Sequence, residues 1–99
     1  MCSIIGIIGR DVVAPALIES LKRMEYRGYA SVGVATLSTD KISIRKGTGK
    51  VNQVNSSLNL AEMDGFVGIG HTRWATHGGV TDYNAHPHSC CTDDIAVVH

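Results

Sequence analysis

Val13, Leu17, Leu21 and Met24 recur at spacings of four, four and three residues, which places them on one face of an α-helix. The pattern predicts an amphipathic helix from about Val12 to Tyr26. Asp11 offers an N-cap and Pro15 falls in the first turn, where proline is tolerated. Lys22, Arg23 and Arg27 complement the dipole at the other end, and Gly28 is a stop. A helix with one apolar stripe has to lay it on another element, and the flanking sequence supplies strands to receive it.

Ser3 to Gly9 (SIIGIIG) is a short apolar run that predicts a buried strand, with Gly6 and Gly9 allowing close backbone approach or a bulge. Ser31 to Ser38 and Lys41 to Lys46 alternate around a Thr39-Asp40 turn and predict a hairpin, with Gly47-Thr48-Gly49 breaking the pattern. Val51, Val54, Leu58 and Ala61 predict a second, weaker helix over Val51–Ala61. Phe66 to Trp74 predicts a strand running into a polar segment, and Ile95 to Val98 another strand. The order β-α-β-β-α-β-loop-β makes the class mixed, a sheet covered by helices. A core-type strand close to His99 leaves the sheet without a natural boundary, which is expected of a piece of a longer domain.

The chain has 99 residues, enough for one small domain. Nine Lys and Arg balance nine Asp and Glu, and the isoelectric point is near 6.9. Neither nucleic acid nor an anionic membrane has an electrostatic footprint here. No apolar run approaches the ~20 residues of a spanning helix. No basic region precedes the first apolar residues, so no signal peptide is expected. Three cysteines, two of them adjacent, make no disulfide framework and point to a reducing cytoplasm.

Chemistry concentrates in four places. Only Met1 precedes Cys2, so removing it leaves a thiol and an α-amine on one residue, a nucleophile with its own base. Their ordinary pKa values, near ~8.5 and ~8, leave the amine partly neutral and able to take the thiol proton. Gly70 to Gly79 (GHTRWATHGG) holds two His, one Arg, one Trp and two Thr. It serves either as a loop gripping a small amino-acid-like ligand, with Arg73 forking onto a carboxylate, or as a polar turn with Trp74 in the core and Arg73 in a surface ion pair. Asn84 to Cys91 (NAHPHSCC) departs from the spacing of zinc sites. It reads as a loop turned by His86-Pro87, with His88 bonded locally, and no metal is expected. Glu25 to Gly28 (EYRG) taken alone reads as a charged helix end with Tyr26 half buried.

Cys2, the stretch LKRMEYRGY at 21–29, GHTRWATHG at 70–78 and NAHPH at 84–88 together resemble one family. It is the glutaminase domain of the glutamine–fructose-6-phosphate aminotransferases, class II glutamine amidotransferases within the N-terminal-nucleophile hydrolases. The resemblance runs from Cys2 to His99. It implies a four-layer αββα sandwich, α+β in class, of which residues 1–99 hold the first part, truncated at the C-terminal end. It implies that Cys2 attacks the side-chain amide of glutamine, releasing ammonia and leaving a thioester for water. Arg73 would hold the α-carboxylate, Thr76 and His77 would line the glutamine site, and Trp74 would gate ammonia. Arg27 and Gly28 would lie near the nucleophile. Neither a metal nor an organic cofactor is implied. In the whole enzyme a downstream synthase domain would use the ammonia to convert fructose 6-phosphate to glucosamine 6-phosphate, as a homo-oligomer in the cytoplasm.

Three positions depart from the family pattern: Ser3 where glycine is usual, Ala30-Ser31 where Asp-Ser follows YRGY, and Val32 where a small residue is common. The family's next residues, Asn-Gly after Val-Val-His, supply the oxyanion hole. Losing one oxyanion donor costs ~100- to 1,000-fold in turnover, and a partial sheet leaves apolar faces and an edge uncovered, so the 99 residues alone are expected to be poorly folded or aggregating, and inactive or nearly so. The alternatives are the glutaminase part of another class II amidotransferase, of the amidophosphoribosyl transferase or asparagine synthetase type, and a non-catalytic truncated product.

Overall fold

A computed structural model describes residues 2–27, 30–74, 78–92 and 94–99, with Arg27 described by its backbone alone. Six strands and two α-helices are formed by these residues: β1 (Ser3–Ile8), α1 (Ala14–Met24), β2 (Ser31–Ser38), β3 (Lys41–Thr48), α2 (Val51–Leu58), β4 (Val67–Arg73), β5 (His88–Ser89) and β6 (Ala96–Val97). Single 3₁₀ turns follow each helix, at Glu25–Arg27 and Leu60–Glu62.

β1, β4, β2 and β3 form one antiparallel sheet in that order, and β5 and β6 form a separate two-stranded hairpin. The expected β2–β3 hairpin is present, with Ser31 opposite Thr48 and Ser38 opposite Lys41. β3 therefore runs two residues past the expected end at Lys46, through Gly47 and Thr48, because β2 holds both of them in register. β4 is the central connector: Thr72 pairs with Ser3 on one side and Val32 on the other.

α1 packs on one face of this sheet. Val13, Ala14, Leu17, Ile18 and Leu21 are buried against Val32, Val34, Val51, Val54, Leu60 and Met63, with Ile5, Ile7 and Met24 at the margin. The expected periodicity thus holds, and the helix is shorter than Val12–Tyr26. Its cap is not Asp11 either. Val13 takes the N-cap position without a side-chain bond, its own amide donating to the Gly65 carbonyl at 3.0 Å. The turn before β4, not a capping side chain, holds the start of α1. The second helix stops at Asn59, which adopts a left-handed conformation (φ 53°), so Ala61 lies in the following 3₁₀ turn.

Close approach occurs at glycines other than Gly6. A Cβ on Gly68 would lie 2.7 Å from Leu17 Cδ1 and one on Gly70 3.0 Å from Leu21 Cδ1. These two glycines of β4 let α1 settle onto the sheet. At Gly6 the nearest atom is 3.8 Å away, and β1 pairs with β4 without a bulge.

Alternation sends Ser31, Gly33, Ala35 and Leu37 of β2, with their partners Arg73, His71, Ile69 and Val67 of β4, to the opposite face. The 81–89 segment and the β5–β6 hairpin cover part of that face; Ile4, Leu37 and Val67 remain exposed on it. The result is α+β: a helix layer, a four-stranded sheet and the start of a second sheet. No described helix is long and apolar enough to cross a membrane.

Candidate active site

Cys2 precedes the Ser3–Thr72 rung and Arg73 follows it, so nucleophile and guanidinium stand at the same end of adjacent strands, on the face away from α1. The Cys2 thiol donates to the Trp74 carbonyl, with Sγ 3.8 Å from the oxygen, and Cys2 is partly accessible. Sheet pairing, not loop geometry, thus brings residues 2, 73 and 74 together.

Arg73 is buried, 7% exposed, at the end of β4. Ala30 donates its amide to the Arg73 carbonyl at 2.7 Å, and Ser31 pairs with Arg73 across the sheet. The Arg73 Nη1 donates to the Gly79 carbonyl at 2.9 Å. Asn84 Nδ2 donates to the same carbonyl at 3.0 Å. Gly78 has φ of 78°, a left-handed backbone that favours glycine, and a Cβ there would stand 3.3 Å from Asn84 Nδ2. Arg73 is therefore held at the Gly79 carbonyl of the loop that follows it. Trp74 is 46% exposed, so it lies at the site's edge and not in the core.

Beside this end of the sheet, three imidazoles stack. His71 and His86 have ring centroids 4.4 Å apart and 21° between planes; His86 and His88 are 4.5 Å apart, tilted by 59°. His71 is fully buried and its Nε2 lies 2.8 Å from the His99 carbonyl, which makes Nε2 the protonated nitrogen and leaves Nδ1 bare. Burial lowers the pKa of all three, and that of His86 falls to about 4, helped by the neighbouring His71 and His88. The Lys46 Nζ lies 2.7 Å from the Ala85 carbonyl, 3.0 Å from that of Pro87 and 3.5 Å from that of Tyr83. Burial lowers its pKa, against the opposing pull of Asp82.

Gly28, Thr76 and His77 lie outside the described residues, as does the side chain of Arg27. In the EYRG cluster Tyr26 is 86% exposed, not half buried, and Glu25 Oε2 accepts the amide of Val51 at 2.9 Å. That carboxylate caps the start of α2, a role that sequence spacing gives no means of finding. In the NAHPHSCC stretch the Cys90 Sγ accepts the Asp94 amide at 3.2 Å and lies 3.4 Å from the Thr92 hydroxyl. Those hydrogen bonds lower its pKa to about 7. Lys46 and Asn84 carry no expected role; an alternating strand and a turn asparagine look ordinary until the fold joins them.

The departures from the family pattern fit the structure unequally. Val32 is fully buried in the core beneath α1. Ser3 is also buried, 3% exposed, on the α1 face opposite Thr72, and the hydroxyls of both lack a hydrogen-bond partner among the described residues. An unpaired buried hydroxyl costs roughly 1–3 kcal/mol. Ser3→Ala is expected to raise stability by about 1 kcal/mol in urea unfolding, whereas a loss of stability would mean that Ser3 has a partner.

No family model matches the chain. Over its whole length it is 52% identical to the glutamine–fructose-6-phosphate aminotransferase [isomerizing] of Methanococcus maripaludis and 54% identical to that of Pyrococcus horikoshii. The chain spans about one-sixth of these relatives, 16% and 17%. Among solved structures, glutamine phosphoribosylpyrophosphate amidotransferase from B. subtilis, complexed with ADP and GMP, superposes with a TM-score of 0.75 at 25% identity, over 88% of this chain and 18% of that one. A structure described as the allosteric regulatory enzyme of purine biosynthesis gives 0.74 at 30% identity, over 88% and 18%.

Proposed function

We infer that this chain, which belongs to the glutamine–fructose-6-phosphate aminotransferases among the class II glutamine amidotransferases, carries the first part of a glutaminase site that works through Cys2. The observation behind this is the placement of the Cys2 thiol at the Arg73–Trp74 end of β4, with Sγ 3.8 Å from the Trp74 carbonyl.

In this mechanism the α-amine of Cys2 takes the thiol proton, and the thiolate adds to the side-chain carbonyl carbon of glutamine. The ammonium returns the proton to the leaving nitrogen, the C–N bond breaks, and ammonia departs. A thioester remains. Water, deprotonated by the same amine, adds to it, the C–S bond breaks, and glutamate leaves with the thiol restored. Arg73 contributes a planar cation for the α-carboxylate, already oriented by Gly79. Thr76 and His77, on the segment between Trp74 and Gly78, line the same site, and Trp74 gates the ammonia. Arg27 and Gly28 are assigned to the surroundings of the nucleophile on the family resemblance alone. Residues 1–99 are the N-terminal part of the glutaminase domain, and fructose 6-phosphate is the acceptor in the whole enzyme.

A second reading keeps the glutaminase and changes the acceptor. The likeness to phosphoribosylpyrophosphate amidotransferase favours it, and the higher identity to the fructose-6-phosphate enzymes weighs against it. Incorporation of glutamine-derived nitrogen into fructose 6-phosphate separates the two.

The test uses protein purified from its source and an electrophilic diazoketone analogue of glutamine. Intact mass is expected to show loss of Met1 and one adduct, which peptide mapping places on Cys2. L-Glutamine is expected to slow labelling, and Cys2→Ala to lower glutamate release by roughly a thousandfold or more. Adducts that favour Cys90 or Cys91, or labelling indifferent to glutamine, would overturn the assignment.

A further inference from the structure

We propose that Lys46 is a positioning residue of this site: its ammonium, enclosed by main-chain carbonyls, holds the 83–87 segment and, through Asn84 and Gly79, sets the place of the Arg73 guanidinium. The inference rests on the glutaminase reading for what Arg73 binds, but not for how Arg73 is held.

Lys46 lies on β3, opposite Gly33. Its Nζ donates to the carbonyls of Ala85 (2.7 Å) and Pro87 (3.0 Å), lies 3.5 Å from that of Tyr83, and is 3.4 Å from His88 Nδ1. An ammonium has three donors and no acceptor, so the three carbonyls alone match its capacity. The carbonyls come from alternate residues, and the segment therefore wraps around the cation. A neighbouring bond repeats the attachment: the Thr48 amide donates to Asp82 Oδ1 at 3.0 Å. β3 thus holds the 82–87 segment at both ends.

Asn84 lies between two of the carbonyls that Lys46 holds. Its Nδ2 donates to the Gly79 carbonyl at 3.0 Å, and Arg73 Nη1 donates to that same oxygen at 2.9 Å. The relay from Lys46 to Arg73 therefore passes through one side chain and one shared acceptor. Among the described residues Lys46 touches neither Cys2 nor Arg73, and its influence runs through this relay.

The test compares ¹⁵N-labelled wild type with Lys46→Met, which keeps the aliphatic stem, and Lys46→Arg, which keeps charge and donors. The signals followed are the Asn84 side-chain amide and the Arg73 Nε–H, with the Leu17 and Leu21 amides of α1 as controls; L-glutamine is then titrated into each. Lys46→Met is expected to shift the Asn84 and Arg73 signals, leave the α1 amides in place and weaken L-glutamine binding about tenfold or more, the loss of a charge-assisted contact. Lys46→Arg is expected to stay near wild type. Asn84→Ala breaks the relay without touching the cage, and is expected to reproduce the Arg73 shift and the weaker binding if Lys46→Met does not fold. Unmoved Arg73 signals in either variant, or α1 amides displaced as far as those of Arg73, would overturn the proposal. Signals that move as expected in a protein to which L-glutamine does not bind would leave the positioning intact and remove the glutaminase reading.

Discussion

Gly33→Ala is expected to cost about 3 kcal/mol or more, lowering the melting temperature by roughly 15 °C. Gly33 sits in the middle of β2, and its backbone is not in the left-handed region that calls for glycine. The demand is spatial. A Cβ at this position would lie 1.9 Å from the His86 carbonyl oxygen and 2.8 Å from Lys46 Cβ. The first neighbour is main chain, which cannot swing aside as a side-chain tip can. Either the 85–88 segment lifts off the sheet or β2 leaves its register between β3 and β4. A chain of this size has only about 5–15 kcal/mol in total, so the loss is a large share. Gly6→Ala is the control. Gly6 is also in a strand on the same face of the sheet, but its nearest neighbour is 3.8 Å away, an ordinary contact. That variant is expected to change stability by less than about 1 kcal/mol. Thermal unfolding of the two variants followed by circular dichroism makes the comparison. Equal melting temperatures would show that the 85–88 segment does not rest on β2.

The same pair of glycines shows what sequence can and cannot reveal. SIIGIIG draws attention to Gly6, yet the close approaches occur at Gly33, Gly68 and Gly70. Whether a glycine is needed depends on what lies across from it, and that is a tertiary fact. Elements with their own periodicity were legible: the stripe Val13, Leu17, Leu21, Met24 and the two alternating strands around Thr39-Asp40 appear where the pattern places them. Boundaries set by partners were not. Gly47 and Thr48 remain in β3 because Val32 and Ser31 pair with them, and His88–Ser89 is a strand only because Ala96–Val97 lies alongside. The site divides in the same way. Cys2, Arg73 and Trp74 carry recognisable chemistry, and the β1–β4 register brings them to one end of the sheet. Lys46 and Asn84 hold main-chain carbonyls, which every residue has, so residue type alone does not mark their role.

Acidification from pH 7 to pH 4.5 is expected to destabilise the protein by up to ~3 kcal/mol, through the imidazole stack. His86 lies between His71 and His88, with Lys46 against His88 and Arg73 close enough to add its charge. Burial comes first in lowering the His86 pKa to about 4, and these positive or ionisable neighbours lower it further. His71 and His88 move in the same direction, chiefly through burial. The His86 Nδ1 has no hydrogen-bond partner among the described residues that would stabilise a charged ring. In the unfolded chain a histidine takes up its proton near pH ~6.5; in the folded protein His86 does so only near pH 4. The unfolded state therefore binds the extra proton first. Stability is full above pH ~6.5 and falls as the pH drops from there towards the folded value. Most of this window lies above the ordinary range of carboxylates, ~3.9 to ~4.3. Urea midpoints measured at intervals from pH 7.5 to 4.5 give the slope, and His86→Gln is expected to remove most of it. A variant as steep as wild type would place the proton uptake elsewhere. The stack also bears on the site. Its middle ring belongs to the segment whose Asn84 shares the Gly79 carbonyl with Arg73. In the folded protein His86 takes up its proton only near pH 4, so the loosening of that segment from His71, and of the hold on Arg73, is confined to the acid end of the range.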